Sequence, residues 1–147
     1  MNGTMRITLI LALIAFVACS LQVADGPATD AQELTPPSEL ALLMRRMAAH
    51  ADSVKAGLAR GDKSLPPYPK EIAKLLTATP TKDMHIDPIT FPTFGKDYQA
   101  KVAALYKAKP QQRAQAYNAV VQACANCHGS HCPGPLMRIR KMYVKAD

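Results

Sequence analysis

The side chains best suited to chemistry stand close together near the C-terminus, in the stretch Cys124-Ala-Asn-Cys127-His128. Two cysteines separated by two residues and followed at once by histidine read as a c-type haem attachment site. Each thiol can add across one haem vinyl group, which gives two thioethers on one edge of the macrocycle. On a helical turn Cys124 and Cys127 share a face, and the His128 imidazole can reach the iron as proximal ligand. The same spacing also serves zinc and thiol–disulfide chemistry. A zinc site would recruit Cys124, Cys127, Cys132 and His128 or His131, all crowded into one short stretch. Structural zinc sites usually join two separate chain segments. Thioredoxin-like chemistry needs a βαβ setting that the surrounding sequence lacks. With no partner in sight, Cys132 reads as an unpaired thiol packed under the C-terminal tail.

The elements that must position this motif read as helices. Ser38 is a good N-cap with Glu39 in the first turn, and Gly61 is a good C-terminal stop. Between them Leu40, Leu43, Met44, Met47, Ala51, Val54 and Leu58 keep to one helical face, with Arg45, Arg46, Asp52, Lys55 and Arg60 off it. Asp62–Tyr68, with Pro66 and Pro67, is a connector. Pro69–Thr77 suits a shorter second helix with Ile72, Leu75 and Leu76 inward. Thr79–Thr93 contains Pro80, Pro88 and Pro92 and reads as a long ordered loop laying Met84, Phe91 and Phe94 on the core. A third helix is expected over Lys96–Ala108 through Tyr98, Val102, Leu105 and Tyr106. Pro110 opens a fourth, whose apolar face runs through Tyr117, Val120, Val121 and Cys124 to His128. Gly129, Pro133, Gly134 and Pro135 should end it, leaving a short basic helical tail over Leu136–Val144. His50 falls at the wrong phase of the first helix and is expected in solvent. His85 lies in the loop, and His131 is expected at the surface near the haem edge.

Residues 1–20 read as an export signal: Arg6 is the only charge before Asp25, and the apolar run Ile7–Ala18 is too short to span a membrane. Phe16-Val17-Ala18-Cys19 resembles a lipobox, which would make Cys19 a lipid-anchored first residue; cleavage at or after Ser20 would discard it. Either way the chain is expected in the periplasm or anchored on the extracytoplasmic side, where c-type haem is attached. Residues 21–37 form a tether and 38–147 one domain with a single core. The chain carries 18 Lys and Arg against 11 Asp and Glu, a formal charge of +7, from which cleavage before Cys19 removes Arg6 alone. No aromatic–basic interleaving points to nucleic acid. The excess suits a solvated basic surface, an acidic redox partner protein or an anionic membrane surface.

An exported helical domain with its C-x-x-C-H at the end of the last helix resembles the cytochrome c′ family, including its Met-ligated low-spin members. The features that carry the resemblance are the position of Cys124-Ala-Asn-Cys127-His128, the stretch Leu43-Met44-Arg45-Arg46-Met47 in the first helix, and the helix order over Ser38–His128. The long proline-rich loop and the tail after Cys132 depart from it. The resemblance implies an all-α antiparallel four-helix bundle, with haem c attached at the end of the last helix and a short helical tail beyond. It also allows a homodimer through the first two helices. It favours Met44 as the sixth ligand, with Met47 as second choice and ordinary core packing of both methionines as the bland alternative. Two functions follow. With Met–His ligation the protein is an electron carrier. With an open distal side lined by Leu43, Met44 and Met47 it binds NO or CO, as a sensor or scavenger. No catalytic residues are expected, since peroxide cleavage wants a distal acid–base group and the first helix offers only His50.

Overall fold

The computed structural model describes residues 36–146. The expected export signal, Cys19 and most of the tether lie outside them. All regular structure among the described residues is helical: α1 Glu39–Arg60, a 3-10 segment Lys70–Leu76, α2 Thr90–Lys107, a 3-10 turn Pro110–Gln112, α3 Arg113–His131 and α4 Leu136–Arg140. No helix among the described residues is long and apolar enough to cross a membrane.

α1 has the ends its cap residues dictate. The Ser38 hydroxyl accepts from the Ala41 N–H at 3.1 Å, and Gly61 takes a left-handed φ of 74°. The start of α1 is tied to the following loop: Leu40 N–H donates to the Thr79 carbonyl, and the Thr79 N–H and hydroxyl donate to Glu39. The inward face is the expected one, with Leu40, Leu43, Met47, Ala51 and Val54 buried and Met44 and Leu58 half-buried.

Several expectations are corrected. Residues 70–76 wind as a 3-10 segment rather than an α-helix, although Ile72 and Leu75 are buried as foreseen. The Gln99 side-chain amide of α2 donates to the Ile72 carbonyl at 2.9 Å, which occupies an acceptor that a further α-turn would need. The expected loop also ends early, because α2 begins at Thr90 and takes in Phe91, Pro92, Thr93 and Phe94. Its proline is tolerated because the first-turn N–H groups of a helix have no partner within the helix. The Asp87 carboxylate caps this turn by accepting from the N–H groups of Ile89 and Thr90 and from the Thr90 hydroxyl. Those hydrogen bonds hold its carboxyl below the usual range. α3 likewise runs through Gly129 and stops at His131, ahead of Pro133.

α2 packs along α3, and α1 packs on α3 and on the 3-10 segment. No Cα of α1 comes within 8 Å of one in α2. The backbones of these two helices are therefore joined through α3 and the 3-10 segment, and directly by the side-chain contact between His50 of α1 and Tyr106 of α2. Tyr98, Val102 and Leu105 of α2 and Tyr117, Val120 and Val121 of α3 fill the shared core. Gly95 allows the 3-10 segment its close approach to α2, since a Cβ there would lie 2.5 Å from Leu76 Cδ2.

The tail is packed rather than free. Ile139 and Met142 are buried, and Asn118 of α3 exchanges two hydrogen bonds with the Val144 backbone. Lys55 of α1 donates to the Lys141 carbonyl, and Arg138 pairs with Asp52 at 2.6 Å. The helix expected over Leu136–Val144 stops at Arg140, and these contacts hold the turn at Lys141 and Met142 and the irregular chain that follows.

His50 is not in solvent as expected. It is half-buried, with Nε2 2.7 Å from the Tyr106 hydroxyl, which in turn donates to the Pro66 carbonyl at 2.6 Å. The tyrosine's one proton is thereby committed, so His50 Nε2–H is the donor of the pair. Burial pushes the His50 imidazole below its ordinary 6.5. A depressed folded value favours the neutral ring in the fold. The resulting stability is complete above the ordinary value and is lost as the pH falls through the folded one. Urea midpoints followed from about pH 8 to about pH 5 should therefore fall more steeply for the wild type than for His50→Gln. Parallel curves would contradict this.

Candidate haem site

The motif sits in the last two turns of α3, where the helix that buries Tyr117, Val120 and Val121 reaches the end of the core. Cys124 packs against that core, and Cys127 and His128 are half-buried one turn on. Burial pushes the Cys124 thiol up to about 12. The less deeply covered Cys127 is raised too, by burial first and then by the nearby Cys132. Both thiols are therefore protonated at neutral pH, as free –SH groups.

The His128 ring carries the most informative contact. Its Nδ1 lies 2.9 Å from the Cys132 carbonyl oxygen. A carbonyl only accepts, so Nδ1 bears the proton and a neutral ring presents the bare lone pair of Nε2. This is the arrangement that orients a metal-ligating histidine and fixes which ring nitrogen is left for the metal. The chain supplies it by turning at Cys132, whose N–H also bonds back to the His128 carbonyl. Cys132 thus acts here through its backbone.

Three cavities surround this end of the molecule, and Met44 and His128 line all three. The first lies under the loop, against Met84, Ile86, Phe91, Cys127 and Cys132. The second fills the gap between α1 and α2, against Met47, Phe94, Tyr98, Cys124 and Cys127. The third opens towards the tail, against Arg45, Met47, Cys124, Arg138 and Met142. Sequence-expected residues from α1 and α3 are thereby brought together: both cysteines, His128, Met44 and, in two of the three cavities, Met47. Leu43 is buried but lines none of them. His85 is exposed and lines none either.

His131 is more engaged than expected. It is half-buried, lines the first cavity, and stands edge-on to Phe91 and Phe94 at 5.8 Å. Its Nε2 is 3.3 Å from Thr90 Oγ1, whose own proton goes to Asp87, so His131 is the donor. Met84, Arg45 and Arg138 also line the cavities without having been picked out as site residues. Phe91, Phe94 and Tyr98 carried a usable signal, since their i, i+3, i+7 spacing marks one helical face once Pro92 is placed in a first turn.

The donor set suits a c-type haem: two thiols three residues apart, an oriented imidazole, thioethers on the facing helix and an almost wholly apolar lining. The zinc alternative is not assembled, because among the described residues no three His, Cys, Asp or Glu side chains group as metal ligands. No family model, curated protein or solved structure matches the chain.

The unequal cover of the two motif thiols has a measurable consequence. In full-length protein made without haem attachment, iodoacetamide at mildly alkaline pH should modify Cys124 roughly tenfold or more slowly than Cys127, as read by peptide mass spectrometry. Equal rates would contradict the burial of Cys124.

Proposed function

We propose that the chain is an exported monohaem cytochrome c that carries electrons through a His/Met-ligated haem. The observation that carries the reading is the hydrogen bond from His128 Nδ1 to the Cys132 carbonyl, which leaves Nε2 free on a ring bordering the same cavities as Met44. When bound, a haem supplies an iron centre that takes up and returns one electron.

In this reading each chain residue has a defined task. Cys124 and Cys127 would hold a haem through thioethers, each thiol adding its S–H across one vinyl C=C. His128, held in orientation by the Cys132 carbonyl, would supply an imidazole to the iron. Met44 of α1, with Met47 one turn further along, would offer a thioether. A thioether ligand and an apolar surround both raise the potential of such a centre. Phe91, Phe94 and Tyr98 keep water off the flank facing α2.

The fold reading that accompanies this is an antiparallel helical bundle of the cytochrome c′ kind, with the 3-10 segment standing where a second long helix would be. It is supported by the order of the helices and by the motif at the end of α3. Export is part of the same proposal and rests on residues 1–20. An acidic redox partner fits the exposed Arg138, Arg140 and Lys141, which border the third cavity or follow it in the tail.

Met44→Ala, in protein matured with haem, should turn a low-spin ferric spectrum into a high-spin one and open the reduced iron to CO. An unchanged low-spin spectrum would remove Met44 as ligand. A wild type that is already high-spin and CO-reactive would favour NO or CO binding over electron transfer.

A further inference from the structure

We infer that Arg138, in the tail beyond the motif, clamps a propionate carboxylate of the haem at the mouth of the third cavity. The inference rests on the haem reading above and adds the orientation of the macrocycle to it.

The three cavities differ in charge. The first two have no Arg or Lys in their lining, and the third has two, Arg45 from α1 and Arg138 from α4. No Asp or Glu lines any of the three. A c-type haem brings two carboxylates on the edge away from its vinyl groups, and burying a carboxylate without a cationic or hydrogen-bonding partner is strongly unfavourable. Among the three cavities of the described residues, the edge bearing them is best met at the third, which alone is lined by guanidinium groups.

Arg138 is suited to this by its position as well as its charge. One of its terminal nitrogens donates to Asp52 Oδ2 at 2.6 Å, while the side chain as a whole remains exposed. A guanidinium has five N–H donors in a fixed fork, so one carboxylate leaves others free for a second. Asp52 then acts as the positioning group that keeps the fork beside the cavity. The backbone beneath is anchored independently, by buried Ile139 and Met142 and by the Asn118–Val144 pair. Other charged groups on these elements include Arg45 and Lys55 of α1 and Arg140 and Lys141 at the end of α4. Arg45 has no acidic partner among the described residues.

The test uses full-length protein matured with haem, as wild type, Arg138→Gln, Arg138→Lys and Asp52→Asn. Resonance Raman spectra report the propionate bending mode, which moves with hydrogen bonding to those carboxylates. Voltammetry reports the reduction potential. Arg138→Gln should shift the mode and lower the potential, because a cation beside the haem disfavours the ferric state. Arg138→Lys should lie between, keeping the charge without the fork. Asp52→Asn should shift the propionate mode in the same direction as Arg138→Gln, because the fork loses the carboxylate that positions it. A propionate mode identical in wild type and Arg138→Gln would overturn the clamp even if the potential fell, since a remote charge acts on the potential alone. Wild-type protein carrying no haem would overturn the haem reading and the clamp together, an outcome distinct from the first.

Discussion

A single helical stripe on α3 carries both the core and the C-x-x-C-H motif. Tyr117, Val120 and Val121 are buried in it, and Cys124 and His128 continue the same face one and two turns later. The register that fills the interior therefore also aims the motif at the cavities beneath α1. A slip of one residue would turn the thiols and imidazole outward and put Asn118 and Gln122 in the core. Packing and ligand geometry cannot be varied independently here, because burial of large apolar side chains is what holds the register.

The rest of the molecule is arranged around that end of α3. α1 stands off from α2, so that Met44 and Met47 face the motif across a gap rather than across a close-packed seam. The tail returns over the opposite flank and is fastened to both α1 and α3. Its first residue, Cys132, supplies the carbonyl that holds His128. The segment after the motif is thus continuous with the site: it orients the imidazole at one end and brings Arg138 to the cavity at the other.

Much of this was legible in the sequence where the signal is local. Ser38 and Gly61 bounded α1 to the residue, and the apolar series from Leu40 to Val54 named its buried face. Cys124 and Cys127, spaced for two thioethers and followed by His128, marked the candidate site by themselves, and the structure places all three beside the same cavity. What escaped depends on partners distant in the chain. Gln99 takes the Ile72 carbonyl across 27 residues and goes with the 3-10 winding. Tyr106 lies 56 residues from His50 and draws it out of solvent. Arg138 meets Asp52 across 86 residues, so nothing near either predicted that pair. Pro88 and Pro92 misled for another reason. Proline marks both loops and helix starts, and Asp87 as the cap of Thr90 decides between them.

The most direct measurement is the intact mass of the protein exported from a host with a cytochrome c maturation system, paired with its pyridine haemochrome spectrum. The account predicts a mass greater than the processed polypeptide by one haem, and a reduced spectrum of a haem with both vinyl groups saturated. A bare polypeptide mass with no Soret band, from a host that matures a control cytochrome normally, would contradict it.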